Sequence, residues 1–280
     1  MAGGHTFIIA EIGINHQGRL DFFKQMICKA KECGVDAVKS QKREPRECLT
    51  PEQYQQVYNS VHSFGRTYGE HKEALELSGD EWADAMALAD DLGILLFASV
   101  FDITSARLMR DLGVEIIKIG SAEVTKYELL KEVASYKLPV LMSTGMSTLE
   151  EIDAAVDLFK SYGTDLTLMH CTSAYPCRYE DVHLRVIPML RARYGLPVGF
   201  SGHHSSVAID TAAVALGAVA VERHFTLDRT MKGTDQAASL EPAGMDKVVK
   251  YIRATELALG TPDKRVLECE RAVRLKCRGV

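Results

Sequence analysis

Residues 116–123 read I-I-K-I-G-S-A-E, an apolar run that breaks off in a lysine, a glycine, a serine and a carboxylate. Bracketed by Gly113 and Gly120, it has the length of a buried strand and is too short for a stable helix. Seven other segments repeat the pattern: F-I-I-A-E-I-G (7–13), D-A-V-K-S-Q (36–41), L-L-F-A-S-V (95–100), V-L-M-S-T-G (140–145), L-T-L-M-H-C-T-S-A-Y (166–175), V-G-F-S-G-H-H (198–204) and V-A-V-E-R-H-F (219–225). Amphipathic stretches separate them, and most close on a glycine just before the next strand, at Gly34, Gly93, Gly113, Gly163, Gly195 and Gly217. A left-handed residue after the last helical turn explains that placement. Eight strand–helix units predict an α/β protein, a single-domain (β/α)8 TIM barrel over residues 1–260. An open doubly wound sheet is the alternative, but no G-x-G-x-x-G follows the first strand.

The spacing predicts strands over 7–14, 37–41, 94–100, 115–121, 139–143, 166–171, 197–201 and 218–224. Helices are expected over 20–33, 79–92, 104–112, 127–136, 148–162, 184–194, 207–216 and 245–259. Two stretches depart from the rhythm. Residues 43–77 are polar and rich in Tyr, Gln and Glu, too long for a turn, and read as an active-site loop with some helix. Residues 261–280 are charged and weakly patterned, and read as a linker-like tail.

A net charge of −5 with no basic cluster argues against nucleic acid as a partner. No run of about 18 apolar residues is present to span a membrane, and the amino terminus lacks a basic n-region. Seven scattered cysteines without a C-x-x-C pair suit reduced thiols and a cytoplasmic protein.

In barrel enzymes the site lies at the carboxyl ends of the strands. Those ends supply Glu11, Asn15 and His16; Lys39 and Gln41; Ser99; Lys118, Ser121 and Glu123; Ser143 and Thr144; His170, Thr172, Ser173 and Tyr175; Ser201, His203 and His204; and Glu222 and His224. Lysines at apolar strand ends call for an anionic partner; the plain alternative is an ammonium reaching bulk water. Lys39 and Lys118 with Ser99, Ser121, Ser143 and Ser201 suit a bound phosphate plus carboxylate. His203 and His224 end adjacent strands and could share one divalent cation, or could simply be hydrogen-bonded rim residues. Strand alternation turns either His203 or His204 away from the mouth, and His203 is favoured as the ligand. Asp235 follows the last strand and could hold a water or a substrate hydroxyl; a turn aspartate is the plainer reading. Glu11, Glu123 and Glu222 could move protons or merely balance the lysines. His170 and Cys171 are expected to face the core. S-T-G-M-S (143–147) could bind phosphate through backbone N–H groups at a helix start.

Together the strings A-E-I-G-I-N-H-x-G, V-K-x-Q, K-I-G-S-x-E, S-T-G-M, H-C-T-S-x-Y-P, G-x-S-G-H, E-R-H-F-T-L-D and K-G-T-D-x-x-x-S-L-E-P resemble the sialic acid synthase family, in the family's order. The resemblance implies condensation of phosphoenolpyruvate with a sugar aldehyde, N-acetylmannosamine or a related amino sugar, to a 3-deoxy-2-keto acid plus phosphate. It implies a divalent metal, Mn2+ or Mg2+, on His203 and His224. It also assigns Lys39, Lys118, Ser121, Ser143, Ser173 and Ser201, with Ser99, to phosphoenolpyruvate. Gln41, Tyr175 and Asp235 would face the sugar, and Glu11 would orient or deprotonate water. Ser40 and Ala122 depart from the family's usual residues at two motif positions. Family members continue into an antifreeze-protein-like domain that reaches the partner's site in a homodimer. Residues 261–280 would open the linker to that domain, so its sugar contact is expected to be missing, supplied by a separate partner chain, or carried by a longer chain. Two other readings stay open: a barrel aldolase using Lys39 or Lys118 as a Schiff base, and a barrel subunit active only with a separate partner domain.

Overall fold

Strand β1 (Phe7–Gly13) pairs in parallel with β2 (Ala37–Lys42) on one side and with β8 (Ala220–His224) on the other, so the sheet closes on itself. Between them run β3 (Leu95–Val100), β4 (Ile117–Ile119), β5 (Val140–Ser143), β6 (Leu166–Cys171) and β7 (Val198–Gly202), each beside its sequence neighbours. The expected closed barrel is therefore present, and the open sheet is excluded. This computed structural model describes residues 5–279. Residues 1–4 and Val280, where the barrel and tail expectations begin and end, lie outside the described residues.

The helices follow the strands in order. They are α1 (Leu20–Glu32), the insertion helices α2 (Pro45–Cys48), α3 (Pro51–Gln55) and α4 (Tyr68–Glu73), then α5 (Gly79–Leu92), α6 (Ile103–Asp111), α7 (Tyr127–Ser135) and α8 (Leu149–Tyr162). After β6 come α9 (Val186–Tyr194), α10 (Ala208–Ala215), α11 (Pro242–Leu259) and, in the tail, α12 (Arg271–Arg278). Their starts are set by side-chain caps: Thr50, Thr67, Ser78 and Thr148 each close a capping box with the Gln or Glu three residues on. Gly93, Gly163 and Gly195 end α5, α8 and α9 in the left-handed conformation.

The core has two shells. Ile9, Val38, Phe97, Ile117, Leu141, Leu168, Phe200 and Val221 are buried in the strands, and Phe23, Trp82, Leu130, Phe159, Leu190 and Ile252 reach them from the helices. Burying a large apolar side chain contributes roughly 1.5–3 kcal/mol, so this double layer fixes the strand ends on which the site stands. Among the described residues no helix is long and apolar enough to cross a membrane, and all seven cysteines are free.

One expectation needs correction. The fourth strand is only three residues long, because Ser121–Glu123 turn into a 3-10 segment. The insertion carries some helix, as expected: three short helices, with His71 buried among them. The weakly patterned tail holds one short exposed helix, α12, with several basic residues.

Candidate active site

Strand alternation and register bring the ionisable strand ends together. Glu11 is level with Lys39 on one side and His224 on the other, Gln41 with Ser99, Ser99 with Lys118, and Ser201 with Glu222. Residues two apart share a face, so Lys39 and Gln41, like Glu222 and His224, project into the same mouth. A cavity of about 360 Å³ opens there. Every residue singled out as catalytic, substrate-binding or metal-ligating lines it: Glu11, Lys39, Gln41, Ser99, Lys118, Ser121, Glu123, Ser143, Ser173, Tyr175, Ser201, His203, Glu222, His224 and Asp235.

Both lysines are 2% exposed, which removes the reading in which they reach bulk water. Lys39 Nζ lies 2.5 Å from Glu11 Oε2, donates to Ser99 Oγ at 2.8 Å, and stands 3.8 Å from Glu222. Lys118 Nζ donates to both oxygens of Glu222 at 3.0 Å, and Ser201 Oγ donates to Oε1 of the same carboxylate at 3.0 Å. Burial by itself pushes Glu222 up. Lys118 and Lys39 outweigh it and hold the carboxyl well below its ordinary range. Two ammoniums thus sit over the barrel axis, cross-braced by two carboxylates.

Glu123 differs. It is buried with one carboxylate oxygen lacking any hydrogen-bond partner, and burial raises its pKa against the pull of Lys126 3.5 Å away. Such a carboxyl is suited to carrying a proton. Gly120 gives it room, since a Cβ at that position would come within 2.6 Å of Glu123 Oε2.

His203 and His224 face one another with ring centroids 5.7 Å apart. His203 Nδ1 is 2.9 Å from the Thr172 carbonyl, which fixes the proton on that nitrogen and leaves Nε2 as an electron-pair donor. Burial, with His224 nearby, lowers the His203 pKa to about 3, so the ring is neutral. His224 Nδ1 is buried without a hydrogen-bond partner, 3.9 Å from Asp235 Oδ2. A neutral imidazole and an orphaned ring nitrogen fit a divalent cation with open positions. Among the described residues no group of three or more His, Cys, Asp or Glu side chains converges as a metal site, so the protein's share would be this pair. Tyr175 covers it, 4.1 Å from the His203 ring and edge-on to His224 at 5.8 Å.

Other strand-end residues have structural posts. Asn15 Nδ2 donates to the Phe225 carbonyl and to Ser239 Oγ, and His16 packs on Phe23. Thr144 and Thr172 donate to the carbonyls of Met169 and Asp181, and His170 Nε2 contacts the Val182 carbonyl. His204 is buried against Phe200, 3.3 Å from Asp210, while His203 opens on the cavity as favoured.

Cys171 corrects the reading that placed it with His170 in the core: it lines the cavity, its Sγ 3.1 Å from Ser121 Oγ. Alternation carried the signal, because Cys171 follows outward-facing His170. Gly145, the glycine of S-T-G-M-S, sits where no side chain fits. A Cβ there would meet Ser173 Oγ at 2.5 Å and both Ser121 Oγ and Cys171 Sγ at 2.8 Å, and its N–H donates to Ser121 Oγ. Gly13, at φ +56° beside a register shift in β1, lies against Gln41, Glu11 and Asp235.

Fold and site together define a (β/α)8 enzyme whose mouth pairs an anion cradle with a two-histidine centre. The profile of the NeuB family matches residues 26–264, and the chain belongs to that family, the sialic acid synthases. It is 42% identical to the N-acetylneuraminate-9-phosphate synthase of Homo sapiens over 99% of its own length and 77% of that protein. It is 39% identical to the N,N'-diacetyllegionaminic acid synthase of Legionella pneumophila, covering 97% and 78%. The N-acetylneuraminic acid synthetase of Leptospira borgpetersenii, solved with citrate, superposes with a TM-score of 0.85 at 31% identity, over 99% of this chain and 94% of that one. The protein is accordingly a transferase that forms a carbon–carbon bond, dependent on phosphoenolpyruvate as sialic acid synthases are.

Proposed function

We propose that the chain condenses phosphoenolpyruvate with the aldehyde of an amino sugar of the N-acetylmannosamine type, yielding a nine-carbon 3-deoxy-2-keto acid and phosphate. One observation carries the reading: the buried lysine–glutamate lattice and the His203–His224 pair line a single cavity. Lys39, Lys118 and Ser99 hold the donor's carboxylate and phosphate, with Ser121, Ser143, Ser173 and Ser201 adding hydroxyl donors. Gln41, Tyr175 and Asp235 face the sugar. His203 and His224 would hold a divalent cation, which supplies Lewis-acid polarisation of the aldehyde oxygen when bound.

The donor's C3 bonds to the aldehyde carbon while the carbonyl π pair moves to oxygen, which takes up a proton and becomes a hydroxyl. Water then adds at C2 and gives up a proton, for which Glu11 is placed. The C2–O bond to phosphate breaks, the keto group forms, and phosphate leaves with the bond pair. Glu123, whose pKa burial raises, stands at the edge of this site as a candidate proton donor.

The aldolase reading fits less well. A Schiff-base lysine must shed its proton, and both ammoniums here are ion-paired with buried carboxylates. Phosphate release from phosphoenolpyruvate, measured across a panel of aldoses with and without manganese, tests the proposal. We expect release only with an amino-sugar aldehyde and loss of activity on chelation. A borohydride-trapped pyruvate adduct with metal-independent turnover would overturn it.

A further inference from the structure

The two histidines that face one another at the cavity stand on unequal ground. His224 is the last residue of β8, whereas His203 lies just beyond β7, in the irregular connection that leads to α10. A side chain on irregular backbone keeps its place only if other groups hold that backbone. One hold comes from the segment after β6. The Cys177 N–H donates to the His203 carbonyl at 2.9 Å, beside the contact of His203 Nδ1 with the Thr172 carbonyl.

The other hold comes from β8 itself. Glu222 and His224 line the cavity, so strand alternation turns Arg223, the residue between them, to the outer face. There its guanidinium reaches back beneath the connection. Nη2 donates to the His204 carbonyl, and Nη1 donates to the Ser206 carbonyl at 3.3 Å and to Asp210 Oδ2 at 2.6 Å. Asp210 sits in the first turn of α10, and both partners of this ion pair are buried. The His204 ring packs beside them, stacked on Phe200 with the ring planes 11° apart and Nε2 3.3 Å from Asp210 Oδ1. Gly202 admits that ring, because a Cβ there would come within 2.7 Å of His204 Nε2.

A buried ion pair is commonly no more stabilising than apolar residues of the same size. Stability alone therefore gives little reason to place an arginine and an aspartate between β8 and α10. What apolar side chains could not do is bind two backbone carbonyls of the connection in a fixed fork. We propose that Arg223, aimed by Asp210, is a positioning residue that fixes where His203 stands relative to His224. The pair's affinity for a divalent cation is then set from outside the barrel. This inference rests on the two-histidine reading proposed above and deepens it. One arginine serves both rings: His224 is its neighbour in the chain, and His203 is held through the carbonyl of the next residue. Groups that orient metal ligands from behind typically change affinity by about 10- to 100-fold.

The test is calorimetric titration of the full chain with manganese, and separately with phosphoenolpyruvate in the absence of metal. The double variant Arg223→Met with Asp210→Leu removes both charges together, so neither is left buried and unpaired. With native circular dichroism, it should bind manganese at least tenfold more weakly and phosphoenolpyruvate within about twofold of the unaltered protein. Arg223→Lys, which keeps the charge but not the fork, should fall between the two. A folded double variant with unchanged manganese affinity would overturn the positioning role and leave the metal pair standing. Equal loss of both ligands would also overturn it, by revealing a general loosening of the barrel mouth. Absence of manganese binding by the unaltered protein would bring down the metal pair and the positioning role together. Should the double variant fail to fold, Arg223→Lys decides the matter: manganese affinity equal to that of the unaltered protein refutes the proposal.

Discussion

The two ends of the cavity are built differently. The end proposed to hold the donor stands on strands: Lys39, Ser99, Lys118, Ser143, Ser201 and Glu222 all belong to the sheet and are buried. The end proposed to face the acceptor is assembled largely from connections. Tyr175 lies in the segment after β6 and Asp235 in the segment after β8. Contacts between loops hold these parts: Gln17 Nε2 donates to the Lys232 carbonyl, the Gly233 N–H to His62 Nδ1, and the Lys232 ammonium lies over Phe64 at 4.6 Å. A framework set by the barrel suits chemistry shared across the family. Loops can change their side chains without disturbing the core, which is where acceptor choice belongs.

The sharpest way to break this contrast is to remove one strut of the donor end. Glu222→Ala leaves Lys118 without its carboxylate and exposes Lys39 to an uncompensated neighbour. Breaking a buried pair costs about 3–5 kcal/mol, so urea unfolding should show a loss of that size together with loss of phosphate release. A stability change under about 1 kcal/mol would mean that the lattice is not structural. Next comes His224→Ala. Manganese binding by titration calorimetry and metal-dependent turnover should both vanish while circular dichroism stays native. Retained turnover in excess chelator would dismiss the metal pair.

Gly13→Ala probes the seam between the two ends. A left-handed φ and the closeness of Gln41, Glu11 and Asp235 predict a cost of about 1 kcal/mol or more, and a larger fall in kcat than in melting temperature. Acid is gentler. Burial lowers the His16 pKa from 6.5 to about 3, so the unfolded chain binds a proton there that the folded chain refuses. Its contribution to stability is complete above pH 6.5 and declines as pH falls toward 3, by up to about 1.4 kcal/mol per pH unit. In denaturation measured between pH 7 and 4, His16→Gln should flatten the slope; an unchanged slope would assign it elsewhere. Smallest of all is removal of residues 261–280. The side chains of residues 261–279 are mostly exposed, and the melting temperature should move by less than about 2 °C.

Most of the barrel and nearly all of the donor end could be read from the chain. Apolar runs of strand length and glycines after helices are local signals, and the ionisable residue closing each run marks its open end. Strand four shows where locality failed: Ile116 and Gly120 continue the apolar run, but the strand stops at Ile119 and Ser121–Glu123 coil into a 3-10 segment with Glu123 buried. Cys171 was misplaced because its chemistry resembles core, although its parity with respect to His170 faced it inward. The pairing of Glu222 with two lysines was hidden for another reason. Residues 118 and 222 lie 104 positions apart, and only barrel closure makes them neighbours.

The cross-braced lattice at the barrel axis also bears on how the empty enzyme behaves. Two ammoniums answered by two carboxylates present no net charge, so the site does not wait as a bare trap for any passing anion. On the proposed reading, an entering donor would exchange places with Glu11 and Glu222 as counter-ion, oxygen for oxygen, and the same carboxylates would stand ready to reclaim the lysines once phosphate departs. The lattice would then serve as a built-in stand-in for the donor's anionic groups.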